Sequence, residues 1–290
     1  MSAGFADKLN SVLLNKINDG TLVLPMMHAL TNKIKKVVQE TTFDAKAATA
    51  LIDKDPVLAA LLLQKIQASS TGRQDAVDSI RIAVSRLELR DIKSYLVNAA
   101  SNQVFASSIP QANETLQALI DHALLVALFS QDLAGIVGCP SESAYLAGLL
   151  HDIGQIIVAI YLIEVERSLP LGPGGNKRPW IDYNTWVDVI HRIHQTVSST
   201  LAKKWGFPSA IQEVIATCHD FDSASRQAVS NVVRFADALA LRDGVGISTP
   251  DQQNQIMAQL MIGRSMLGVD EEVVERLSAM GKQTLSAYNA

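Results

Sequence analysis

Apolar residues recur along almost the whole chain at the three-and-four spacing that makes one face of an α-helix. Phe5, Leu9, Val12, Leu13 and Ile17 line one such face, and Leu30, Ile34, Val37 and Val38 line another. A helix through Phe43 to Ala50 is expected to stop at Asp55-Pro56, and Pro56 suits the first turn of the next helix, through Val57, Leu61, Leu62 and Ile66. Asp78 or Ser79 can cap the helix that carries Ile80, Val84 and Leu87. No run alternates as a half-buried strand does, and aromatic residues make up only 5% of the chain. The pattern predicts an all-α fold.

Breaks in the pattern divide it. Ser101 to Thr115, with Ser107, Ser108, Pro110 and Asn113, reads as a connection between two helical lobes, residues 1–110 and 111–290. Ser168 to Pro179 holds three prolines and three glycines in twelve positions and is expected to be an exposed surface loop. Gly244 to Pro250 is a third loop, with a helix start expected near Asp251. The most apolar stretch, Leu146 to Ile163, is interrupted by His151, Asp152, Gly154 and Gln155. A charged residue at a bilayer centre costs about 3 kcal/mol, and Ile156 to Ile163 alone falls far short of the roughly 20 residues a span needs. The stretch therefore reads as a buried helix, with no membrane involved.

Composition narrows the class further. With 290 residues and 48% hydrophobic residues the chain can bury a large core and is not disordered. Lys and Arg number 25 against 29 Asp and Glu, a net charge of −4, which leaves no basic footprint for nucleic acid. Two cysteines, Cys139 and Cys218, are too few for a disulfide framework and fit a reducing compartment. The N-terminus has no signal-peptide pattern, so a cytoplasmic location is expected.

The chemistry lies in polar residues on apolar faces. His122 sits in the stripe Leu119, His122, Val126, Phe129 and Leu133, where an imidazole must find a partner. A backbone carbonyl would satisfy it without any further role. His151 and Asp152 stand side by side in the run Gly148-Leu149-Leu150-His151-Asp152-Ile153-Gly154, and a buried Asp is rare unless paired or bound to a cation. Asp237 shares a face with Val233, Ala240 and Leu241, and Arg234 is placed to pair with it. Two His and two Asp from separate helices can together bind a divalent transition metal. His191 and His194 share one side of a helix, and His219 follows the apolar helix of Ile211, Val214, Ile215 and Cys218. At a helix C-terminus, the dipole alone would favour a protonated His219.

These residues resemble the HD superfamily of metal-dependent phosphohydrolases, whose pattern is a His, then His-Asp, then a distant Asp. His122, His151-Asp152 and Asp237 fall in that order. More specifically the chain resembles HDOD proteins, the HD-related output domain of bacterial signalling, over about residues 20 to 245. Leu24-Pro25 resembles the family's opening element, Leu51 to Leu58 its Asp-Pro helix start, Ala147 to Gly154 its HD helix, and His194 to Pro208 its His…Trp-x-x-Pro segment. The Gly-Tyr-Pro signature of the cyclic-di-GMP-cleaving relatives is missing after His219, which argues against that cleavage.

The resemblance implies an N-terminal HDOD lobe followed by an HD-like helical core and C-terminal helices. It implies a regulatory protein whose HD-like groove binds a signalling partner or a small effector in trans. The alternative it implies is a metal-dependent phosphohydrolase acting on a phosphate ester or nucleotide. In either case the metal positions are His122, His151, Asp152 and Asp237, for iron, manganese, nickel or zinc. His194 and His219 are then placed for a second metal or a phosphate contact. A third reading leaves the polar set as a hydrogen-bonded network with no ion.

Overall fold

The computed structural model describes residues 2–25, 28–69, 77–101, 107, 109–168 and 182–289. Among them the chain is all-α. The first half forms α1 (Ser2–Asn18), α2 (His28–Gln39), α3 (Ala45–Ile52), α4 (Pro56–Ser69), α5 (Ile80–Ser85) and α6 (Leu89–Ser101). The second forms α7 (Pro110–Val137), α8 (Ser141–Leu150), α9 (Ile153–Ser168), α10 (Tyr183–Lys204), α11 (Ser209–Thr217) and α12 (Val229–Arg242). A short 3-10 turn, Pro250–Gln252, leads into α13 (Gln253–Leu267) and α14 (Glu271–Asn289).

Several helices begin where a side chain can take up a free first-turn amide. Asp44 accepts from the Ala47 amide at 2.8 Å, Asp55 from Leu58 at 2.7 Å, Ser79 from Ile82 at 3.2 Å and Asp182 from Thr185 at 3.1 Å. Between Asp78 and Ser79, Ser79 is therefore the cap of α5. Pro110 occupies the first turn of α7, so that helix starts inside the stretch read from sequence as a connection, and residues 110–115 are helical. Pro fits there because its missing amide would have been unpaired in any case. The Gly244–Pro250 loop is present as expected, while most of the Ser168–Pro179 loop lies outside the described residues.

One cluster of buried apolar side chains extends from Ala6 to Leu277. Helix α7 is its spine, packing most extensively against α8 and α12 and also against α9 and α14. Helix α9 packs along α10, and α1 lies on α10 too, so the first helix sits on the second half of the chain. Helix α7 and the α8–α9 stretch are long and apolar enough to cross a membrane by length and composition, but 67% and 89% of those windows are buried inside the protein. Burial of that extent is what core helices show.

The stretch read as one buried helix, Leu146 to Ile163, is two helices that break at His151-Asp152. The Gly154 amide donates across to Ser198 Oγ on α10 at 2.9 Å. It can do so because a Cβ on Gly154 would stand 2.1 Å from the His194 carbonyl oxygen, a separation only glycine permits. At the break His151 faces Asp237 of α12, and Asp152 faces His194 of α10.

Candidate metal centre

Three helices and two turns deliver the polar residues to one place. His122 comes from the middle of α7, His151 and Asp152 from the α8–α9 break, His194 from α10, His219 from just beyond α11, and Asp237 from α12. His122 Nε2 lies 3.2 Å from Asp237 Oδ1, and His151 Nε2 lies 3.9 Å from that same oxygen. His151 Nε2 is 3.5 Å from Asp152 Oδ2, and His194 Nε2 is 3.7 Å from Asp152 Oδ1. The His194 and His219 rings stand 6.0 Å apart, edge to face.

The four residues His122, His151, Asp152 and Asp237 adjoin, but their donor atoms do not form a single foursome. Those of His122, His151 and Asp237 lie within 4.8 Å of one another, as do those of Asp152, His194 and His219. The two triads meet at the His151–Asp152 pair. His191 stays at the margin, its ring 6.3 Å from that of His194.

The orientation of the imidazoles is set by main-chain carbonyls. His151 Nδ1 donates to Gly148 O at 2.8 Å, His122 Nδ1 to Val245 O at 3.1 Å, and His194 Nδ1 to His191 O at 2.9 Å. A carbonyl can only accept, so in each case Nδ1 carries a proton, and Nε2 faces the carboxylates, donating where it too is protonated, as the 3.2 Å contact of His122 with Asp237 requires, and offering a lone pair to a cation where it is not. That is the arrangement in which a second hydrogen bond fixes a ligating His.

Sequence reasoning passed over the groups that impose it. Val245 and Gly246 lie in a loop noted only as a break, yet Val245 supplies the acceptor for His122. Gly246 has φ +114, and a Cβ there would sit 2.8 Å from His122 Nδ1. The signal available was two glycines in three positions, Gly244 and Gly246, shortly after the helix that carries Asp237.

The apolar surroundings govern the electrostatics. Burial works to raise the Asp152 carboxyl, but the imidazoles of His151, His194, His219 and His122 outweigh it and hold that carboxyl well below the usual carboxylate range. Burial lowers His122, yet its hydrogen bond and charge interaction with Asp237 prevail and raise it. Burial lowers His219, with His194 and His151 adding to the effect against Asp152. A dipole-favoured, protonated His219 therefore does not describe this residue. Arg234 does not form an ion pair with Asp237; it donates to the Cys218 carbonyl at 2.9 Å and stacks over Phe221, its Cζ 5.2 Å from the ring centroid.

The donor set suits a divalent metal. Imidazole nitrogens and carboxylate oxygens are the ligands that iron, manganese, nickel and zinc share. His151 Nε2 is buried and has no hydrogen-bond partner among the described residues. Buried polar atoms are seldom left so, and a cation facing this lone pair would complete it. Access is from the carboxylate side, since the Asp237 side chain is 24% exposed against 2% for His151.

Residues 24–221 match the HDOD domain. Among solved structures, the chain is similar to the MmoQ response regulator of Methylococcus capsulatus strain Bath. The two are 19% identical, the match covers 88% of this chain and 98% of that one, and the TM-score is 0.63. It is similar also to a virulence factor of Campylobacter jejuni subsp. jejuni, at 16% identity, 92% and 94% coverage and a TM-score of 0.59. These likenesses are of fold. A comparison with curated proteins finds no match.

Proposed function

The chain belongs to the HDOD family, and on that footing we propose that it is a cytoplasmic regulatory module of signal transduction. In this reading it holds a divalent transition metal in its His/Asp core and passes the state of that core to a protein partner or small effector in trans. The observation that carries the proposal is the inward turn of three Nε2 atoms, one of them the buried Nε2 of His151, which has no hydrogen-bond partner among the described residues. When bound, the ion supplies Lewis acidity and ties α7, α10 and α12 together. The protein's own residues orient the imidazoles through Gly148, His191 and Val245 and keep Asp152 ionised. Regulation is favoured over turnover by the surroundings of the core. Arg234 is engaged by Cys218 and Phe221, and Lys203 and Lys204 are exposed at the end of α10. Among the described residues, a phosphoryl group at the core thus finds no cationic clamp of the kind its transfer depends on.

The second reading is a metal-dependent phosphohydrolase acting on a phosphate ester or nucleotide. What favours it is that two donor triads meet at His151–Asp152, as positions for paired ions do in many hydrolases. The discriminating experiment is metal analysis of the purified protein together with melting curves. Near-stoichiometric iron, manganese, nickel or zinc is expected. Chelator should lower the melting temperature of the wild type but hardly that of Asp237→Ala, since a ligand at a hundred times its Kd stabilises by about 2.7 kcal/mol. If chelator moves neither curve, the metal reading fails. If a phosphate ester is turned over by the wild type and not by Asp237→Ala, the hydrolase replaces the regulatory module.

A further inference from the structure

Away from the His/Asp core, a cavity of about 510 Å³ opens where α3, α5, α7, α8 and α14 meet. Small-molecule sites run from about 300 to 1,000 Å³. Its inner wall is apolar, with Leu124 and Leu128 from α7 and Ile80 from α5. The acids on it are Asp53, just past the end of α3, and Glu142 on α8. Glu142 is already engaged, with its Oε1 2.8 Å from Arg81 Nη2.

Asp53 is different. The Tyr145 hydroxyl holds its main-chain carbonyl at 2.7 Å, but no hydrogen bond or ion pair among the described residues reaches its carboxylate. Burial pushes the Asp53 carboxyl up to about 6, and the charge of Glu142 pushes the same way against that of Lys54. Lys54 is exposed to solvent, which screens its charge. The carboxylate thus stands half-buried at the mouth of an apolar-walled cavity, beside a second acid, without a donor of its own. One side of the cavity is closed by Thr284 and Ala287 of α14, a helix outside the residues that match the HDOD domain.

We propose that this cavity binds a small organic cation, with an amine or guanidinium head on Asp53 and an apolar stem along Leu124 and Leu128. A planar guanidinium can bond a carboxylate through two parallel N–H groups, and an apolar stem would cover the wall that water now faces. Because α14 builds part of the wall, the site lies partly outside the residues that match the HDOD domain. The proposal does not rest on a metal in the His/Asp core.

The test is calorimetric titration of the full chain with n-butylguanidinium, with valerate as a probe of similar stem and opposite charge. Binding with a Kd below about 10 mM is expected, within reach of so small a ligand. Valerate should bind at least about tenfold more weakly, and Asp53→Asn should weaken n-butylguanidinium about tenfold or more, a loss of about 1.4 kcal/mol. Thr284→Trp, which fills the cavity from the α14 side and leaves Asp53 in place, should abolish binding. Should Asp53→Asn fail to fold, Thr284→Trp decides alone. Chelator should leave the titration unchanged, which separates this site from the metal core. No binding at that concentration, equal binding of valerate, or an unaltered isotherm in the folded variants would overturn the proposal.

Discussion

Replacing Gly154 by Ala tests the packing that creates the candidate site. A Cβ built there stands 2.1 Å from the His194 carbonyl oxygen, 2.5 Å from Ser198 Oγ and 2.9 Å from the Ser198 amide nitrogen. Two of these three are main-chain atoms of α10, which no rotamer change can move. Ordinary contact begins at 3.4 Å, so α9 and α10 must part by about 1.3 Å at this point. Overpacking of that kind costs about 1 to 3 kcal/mol. The bond from the Gly154 amide to Ser198 Oγ, now 2.9 Å, would be lost with it, at about 1 kcal/mol more. Gly154→Ala should therefore destabilise by about 2 to 4 kcal/mol, roughly 10 °C in melting temperature. Two other glycines calibrate the result. At Gly148 the nearest atoms, on Ala127, Ser130 and Val126, stand at 2.9 Å, so Gly148→Ala should cost about 1 to 2 kcal/mol. At Gly135, exposed in α7, nothing is nearer than Ser141 Oγ at 3.9 Å, and Gly135→Ala should stabilise by about 0.5 to 1 kcal/mol. Urea unfolding followed by far-ultraviolet circular dichroism measures all three. Any other order, and above all a Gly154→Ala no worse than Gly148→Ala, would refute the close approach of α9 and α10. The same displacement draws His194 away from Asp152, so metal held by the Asp152, His194 and His219 triad should be lost first.

Two further substitutions probe other parts of the argument. Burial raises the Asp55 carboxyl from 3.8 to about 6 against the pull of the Leu58 and Val57 amides. The folded chain therefore holds that proton more tightly than the unfolded chain, so the associated stability is full below about pH 4 and is lost as pH rises through about 6, worth about 3 kcal/mol. Asn keeps the cap on α4 without the charge, so Asp55→Asn should match the wild type near pH 4 and exceed it by up to about 3 kcal/mol above pH 7. A variant less stable at neutral pH would contradict this. Gly246→Ala puts a side chain at φ +114 and against the His122 ring, and should cost about 1 to 3 kcal/mol. It should also weaken metal retention by purified protein; wild-type retention would show that Val245 and Gly246 do not position His122.

Much of the fold was legible because helices are written locally. The three-and-four spacing of Leu9, Leu13 and Ile17 places them in the core, each no more than 5% exposed, although Val12 on the same predicted face is 47% exposed. Pro56 and Ser79 marked helix starts for the reason the structure shows, the unpaired amides of a first turn. The break at His151-Asp152 was not legible, because its cause is not local. It depends on Ser198, more than forty residues away, taking the Gly154 amide, and periodicity cannot show where a main-chain donor finds its acceptor.

The site was legible in its membership and not in its partition. A His or Asp on an apolar stripe must find a partner, and that requirement alone singled out His122, His151, Asp152 and Asp237 without any coordinates. Which of them share a ligand set depends on side-chain direction. Asp152 lies next to His151 in sequence and within 3.5 Å of it in space, yet its other oxygen turns to His194, and its donor group joins the α10 side. Direction in turn depends on carbonyls of Gly148, His191 and Val245, and every residue except a few at helix ends hides its carbonyl from any reading by residue type. Those three carbonyls determine which ring nitrogen keeps a proton. Had they faced Nε2 instead, Nε2 would carry the proton and Nδ1 would be the nitrogen left with a lone pair for a ligand. Main-chain acceptors thus set which nitrogen of each ring faces the carboxylates, and Gly246→Ala perturbs one of them, Val245, while pressing on the Nδ1 side of the His122 ring.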